Sequence, residues 1–141
     1  MAYRTALVCF TFLFALALFS CTKPGGSSRQ HDYITGKWRK TRTAVDSNHN
    51  GIIDNFELLA PSAYDSTHVL VFNSDGSGAI TSSGATAGAF TWSLQRNNTY
   101  LVISYGDTAF GHYIDTLSRD AMTLRDTTIS SISWSMYTKQ Y

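Results

Sequence analysis

The feature that most constrains this chain is a two-residue alternation of apolar and polar side chains, repeated in short segments along most of its length. Phe90, Trp92 and Leu94 fall on one parity, and Thr91, Ser93 and Gln95 on the other. Leu101, Ile103 and Tyr105 repeat the pattern, as do Met122 with Leu124, and Ile132 with Trp134 and Met136. Successive side chains of a strand point to opposite faces, so this period predicts half-buried strands and disfavours amphipathic helices over the same stretches. The separators SDGSG, NN, GDTAF, RD and TTIS carry turn residues or little apolar content. Only NFELLA, before Pro61, reads as helical, for about a turn or two.

Short strands with tight connections predict an all-β domain built as an antiparallel meander. Each strand offers one apolar face, and closing the sheet buries all of them while removing exposed edges. The expectation is an up-and-down barrel of about eight strands, with Trp38, Phe72, Phe90, Trp92, Trp134 and Met136 as inward candidates. A two-sheet sandwich satisfies the same strand patterns.

Against this background DSNHNGIIDNFE, Asp46 to Glu57, stands out. A hard cation such as calcium takes six to eight oxygens, and alternate residues of a tight twelve-residue loop supply them when glycine at the sixth position permits the turn. In this register Asp46, Asn48, Asn50, Asp54 and Glu57 offer side-chain oxygens and Ile52 a backbone carbonyl. Ile53 would face inward, and His49 would be solvated. The preceding residues read as a strand, so the helix pair that a calcium sensor reorients is missing. The loop is therefore expected to be a structural calcium clamp. With only three carboxylates its affinity belongs on the order of 10⁻⁴ to 10⁻³ M. A metal-free Asn/Asp/Gly turn is the competing reading.

The N-terminal end predicts export. Residues 1–20 join Arg4 to an apolar run that is too short for a membrane span and fits a secretory signal. The LFS before Cys21 resembles a bacterial lipobox, which implies cleavage before Cys21 and lipidation of that residue. Residues 21–32 have a tether composition, and the folded domain is expected over 33–141. Loss of Cys9 with the signal and lipidation of Cys21 leave no thiol for a disulfide, a zinc site or a nucleophile. The signal also carries away one of 11 basic residues and none of the 10 acidic ones, so the mature chain is formally neutral. Nothing in that balance recommends a nucleic acid.

Enzyme signatures are weak. His31, His49, His68 and His112 show no tight metal-ligand spacing, and no serine stands in G-x-S-x-G. His112 and Asp115, three apart, fall on opposite faces of a strand. Most of the cluster Lys37, Arg39, Lys40 and Arg42 is expected to be a solvated rim. The reading is non-catalytic.

Gly36-Lys37-Trp38 at the start of the first strand resembles the G-x-W signature of lipocalins, in which the Trp plugs one end of the barrel. Taken with the lipobox, the short tether, the loop and the strand motifs FNSDGSG, FTWSL, LVI and MTL, the chain is similar to the lipocalin-like domain lipoproteins common in Bacteroidota. The resemblance implies a barrel, a basic residue packed on the Trp (Lys139 or Arg125), and a small apolar or amphipathic ligand in the mouth. Phe90, Trp92 and Tyr105 are the ligand candidates, with Tyr100 or Tyr113 as further polar handles at the rim. It also places the protein in the cell envelope, lipid-anchored at the outer membrane and facing the periplasm. The alternative is a structural or protein-interaction lipoprotein whose barrel is filled by its own side chains.

Overall fold

The alternating segments close into a barrel. The computed structural model describes residues 27–141, so the expected signal, Cys21 and the first residues of the tether lie outside the described residues. A helix, α1 (Ser27–Ile34), leads into strand β1 (Gly36–Val45). After the loop come a 3₁₀ turn (Asn55–Glu57), a two-residue strand β2 (Leu58–Leu59) and a short helix α2 (Ala63–Thr67). Seven strands follow: β3 (His68–Phe72), β4 (Ser77–Ser82), β5 (Ala85–Gln95), β6 (Tyr100–Tyr105), β7 (Thr108–Leu117), β8 (Ala121–Thr127) and β9 (Ile132–Gln140). Consecutive strands from β3 to β9 pair antiparallel, β1 pairs with β3, and β1 returns to pair with β9. Eight strands thus form a closed up-and-down barrel, with β2 continuing the line of β3 beside the far half of β1.

Three local expectations are corrected. NFELLA makes a single 3₁₀ turn and then extends, because Leu58 and Leu59 find ladder partners in Ala44 and Thr43. The helix α1 takes in residues 27–32 of the stretch read as tether. Trp134 and Met136 face outward: they pair with Arg125 and Thr123, whereas the interior positions of β8 are Met122 and Leu124, paired with Tyr137 and Ser135. Alternation defines two faces without saying which is inside.

A bulge between Lys40 and Arg42 decides the faces of β1. Before it, Trp38 and Lys40 pair with Lys139 and Tyr137 and point into the barrel; after it, Ala44 pairs with Trp134 and points out. One extra residue switches the face of everything beyond it. Ala44 and Trp134 are buried outside the main core, in a row that runs across the outer surface from Tyr100 through Tyr113 and Arg125 to Trp134. The Arg125 guanidinium lies 5.0 Å from the Tyr113 ring centre, and its Nε donates to both oxygens of Asp115 at 3.0 Å. Trp134 Nε1 donates to Asp115 Oδ2 at 2.9 Å. Asp115 therefore serves this outer row and not His112.

The interior is filled at one end. Ile34, Trp38, Phe72, Phe90, Trp92 and Leu101 form its core, with Phe72 edge-on to Phe90 and to Trp92 at 5.3 and 5.6 Å. The helix α1 closes this end, and its last carbonyls, which have no partner within the helix, are taken by side chains. Trp38 Nε1 donates to Ile34 O at 2.6 Å, Lys139 Nζ to Tyr33 O at 2.8 Å, and Thr35 Oγ1 to His31 O at 2.8 Å. The Lys139 ammonium also sits 5.1 Å from the centre of the Trp38 ring. It is thus Lys139, not Arg125, that packs on the Trp. Gly36 lies beneath this lysine at φ +131°, a backbone angle that L side chains rarely adopt.

Trp38 is fully buried and holds both the helix and the core. Trp38→Ala is expected to cost about 3–5 kcal/mol, a large part of the stability of a domain this size. Urea unfolding followed by circular dichroism measures it. A loss below about 1 kcal/mol, the size of one ordinary hydrogen bond, would contradict this account of the plug.

Candidate functional site

Beyond the Trp38 floor the barrel opens. A cavity of about 270 Å³, open to solvent on one side, lies between Trp38 and the opposite rim. Its deep wall is apolar, from Leu70, Ile80, Ile103 and Leu124, and its rim is polar and aromatic, from Lys40, Tyr64, Asp65, His68, Tyr105, Phe110, His112 and Tyr137. Lys40 lies before the bulge and shares the inward parity of Trp38, so this member of the basic cluster is not a solvated rim residue.

The rim groups are paired among themselves. Lys40 Nζ lies 3.1 Å from Asp65 Oδ1, which ties α2 to β1 across the opening. Burial works against ionisation of Asp65, yet hydrogen bonds from Ser62 and the Lys40 ammonium outweigh it and hold the carboxyl below its ordinary value. His68 Nδ1 lies 2.6 Å from Tyr64 O and therefore carries a proton, and its ring stacks on Tyr64 with centres 3.5 Å apart. His112 Nδ1 lies 2.5 Å from Asp126 Oδ1, leaving Nε2 as the nitrogen free of that contact. Burial pushes the Tyr105 and Tyr137 hydroxyls above the usual tyrosine value, so both are neutral donors at ordinary pH.

Of the three expected ligand residues, Tyr105 lines the cavity and Phe90 and Trp92 do not. Phe90 and Trp92 belong to the filled end, where Trp92 Nε1 donates to the carbonyls of Asn73 and Ser77 at 3.1 and 3.0 Å. Trp92 also reaches a shallow outer depression beside His31 and Asp75. Tyr100 and Tyr113 stand on the outer face, their rings edge-on at 5.0 Å with Arg96 over both, and so give no handle at the mouth. Lys40, Asp65, His112 and Asp126 are site residues that sequence reading did not reach. The pairs belong to different elements, and only the barrel's register brings them together.

The Asp46–Glu57 loop lies at the same end of the barrel, where β1 ends. Asp46 and Glu57 are buried, at 1 % and 4 % exposure. Asp46 accepts from the N–H groups of Asn50 and Gly51 at 3.0 and 2.9 Å. Glu57 Oε1 accepts from the Ser47 N–H at 2.7 Å and the Ser47 hydroxyl at 2.9 Å, and Oε2 accepts from the Asp54 N–H at 3.1 Å. These bonds, the Asp54 N–H first among them, outweigh burial and hold the Glu57 carboxyl below its ordinary 4.5. Asn48 and Asn50 turn their amide nitrogens to Asp54 Oδ2, at 2.8 and 3.0 Å, and give their oxygens to backbone N–H groups. Gly51 makes the sharp turn at φ +73°, His49 and Ile52 are exposed, and Ile53 is half-buried.

Loop positions three, five and nine therefore converge, closed on one another by amide–carboxylate bonds. Among the described residues no group of three or more His, Cys, Asp and Glu side chains is set to hold a metal. A cation at this point would need the Asn48 and Asn50 amides to rotate their oxygens inward. The scaffold of buried end carboxylates and the glycine turn suits that exchange, and the donors are hard oxygens.

No protein-family profile matches the chain, and no curated protein is significantly similar to it.

Proposed function

We propose that this protein is an envelope lipoprotein whose barrel binds a small, mostly apolar ligand without catalysis. The observation that carries the reading is the cavity of about 270 Å³, apolar at depth and polar at its mouth, the layout of small-molecule sites in general. The filled end belongs to the alternative, a side-chain-packed barrel that serves a protein partner, and it limits the ligand to the mouth half. The volume falls just under the roughly 300 Å³ at which ligand pockets usually begin. At about 30 Å³ per water-sized group, the occupant has about nine non-hydrogen atoms. Burying about 200 Å² of its apolar surface contributes roughly 5 kcal/mol before the cost of immobilisation, so micromolar or weaker affinity is expected.

The lipocalin-like resemblance is supported by the Trp38 plug and the Lys139 ammonium over its ring. The anchor rests on the sequence before Cys21, and the periplasmic face of the outer membrane is the location we infer from it. In a bacterial host the full chain should fractionate with membranes and Cys21→Ala should not; unchanged membrane association of that variant would remove the anchor from the reading.

Ligand binding is tested with a small environment-sensitive fluorophore on the protein and on Ile103→Trp, which fills the cavity from its deep wall. The expected result is saturable binding that this variant weakens by at least about tenfold while its circular dichroism is kept. Equal binding by both proteins, or none by either, would favour the protein-partner alternative.

The loop is read as a weak structural calcium clamp, with Asp46, Asn48, Asn50, Ile52, Asp54 and Glu57 as its ligands. At 10 mM calcium and a dissociation constant on the order of 10⁻³ M, binding adds about 1.4 kcal/mol, a rise in melting temperature of about 4–8 °C. Glu57→Gln should remove the rise. Identical melting curves in calcium and in chelator would leave the loop as a metal-free turn.

A further inference from the structure

Among the described residues, Lys40 and the His112 ring at the mouth of the cavity each already have an anion. Lys40 is 3.1 Å from Asp65, and His112 is 2.5 Å from Asp126. His68 has its Nδ1–H on the Tyr64 carbonyl at 2.6 Å. The loops around the opening add Asp54, Glu57 and Asp107. An ionised carboxylate entering here would give up water and find no unspent positive charge, which is costly.

A cationic head finds the carboxylates beside the cavity already bonded, Asp65 to Lys40 and Asp126 to the His112 ring. Lys40 Nζ already sits 5.9 Å from the centre of the Tyr137 ring, so the aromatic face that would receive a cation has one. What the mouth offers is neutral: the hydroxyls of Tyr105 and of Tyr137, the latter also in contact with Ser135, and the Nε2 of His112. Two O–H donors and a ring nitrogen suit an uncharged head that can both accept and donate, such as an amide or an alcohol.

We propose that the mouth selects an uncharged hydrogen-bonding head on a medium-length apolar body, and discriminates against carboxylates. The inference rests on the ligand reading above and adds to it the chemical class of the head. It separates this barrel from a carrier of fatty-acid anions, because cations already paired at a partly buried site leave an anion uncompensated, whereas a neutral head needs only its hydrogen bonds replaced.

The test compares octanamide, octan-1-ol, octanoate and octylamine as competitors of the same fluorophore on the full chain at pH 8, where octanoic acid is ionised. Octanamide and octanol are expected to bind at least about tenfold more tightly than octanoate and octylamine. Asp65→Asn frees Lys40 and should narrow the amide-to-octanoate ratio by about tenfold. Octanoate or octylamine binding as tightly as octanamide, or a ratio unmoved by Asp65→Asn, would overturn the head-group assignment while the ligand reading stands. Displacement by none of the four would end both.

Discussion

The rest of the structure hangs on the way one helix end is satisfied. The C-terminal carbonyls of α1 would be orphans inside a closed barrel, and buried orphans of this kind are costly. Trp38 and Lys139, from the two strands that meet at the closing seam, donate to the carbonyls of Ile34 and Tyr33. The same two side chains stack on each other. Helix docking, strand closure and core filling are thereby one event: α1 cannot seat without the seam, and the seam has no floor without Trp38. A cation near a helix C-terminus is also favoured by the helix dipole.

That plug sets the polarity of the molecule. Aromatic side chains crowd the α1 end, so space is left only towards the other rim, where α2 is held over the opening by the Lys40–Asp65 pair. The bulge in β1 does the complementary task. It lets one strand send Lys40 inward and Ala44 outward within five residues of sequence, and so gives the barrel a polar mouth and an outer seat for Trp134 with the same segment. The Asp46–Glu57 loop follows directly, and its buried carboxylates cap backbone N–H groups that would otherwise be left open where the strand ends.

Legibility differed sharply between fold and site. The strands around Phe90–Trp92–Leu94 and Leu101–Ile103–Tyr105 were plain because both parities are pure and turn residues bracket them. Trp134 was read to the wrong face because Ile132, Trp134 and Met136 alternate with Ser133 and Ser135, a contrast that points the apolar set inward, while its covering neighbours, Arg125 and Asp115, lie on other strands. Phe90 and Trp92 were placed correctly as interior but at the wrong depth, since alternation carries no information about position along the barrel axis. His112 looked like a lone strand histidine. Its partner Asp126 comes within reach only through the register of β7 on β8, which itself shifts at Asp115.

What the sequence by itself determined is local and periodic: the strands, their turns, the all-β class, the twelve-residue loop with its glycine turn, and Trp38 as a buried anchor. These follow from side-chain period and backbone permissiveness, which act over a few residues. The tertiary structure alone decided which face each strand turned inward after a bulge, which end of the barrel was filled, and which charges found each other across the mouth. Those outcomes depend on register and closure between residues far apart in the chain, as in Lys139 on Tyr33, Lys40 on Asp65 and His112 on Asp126. A one-residue shift in any ladder would exchange the faces and dissolve all three.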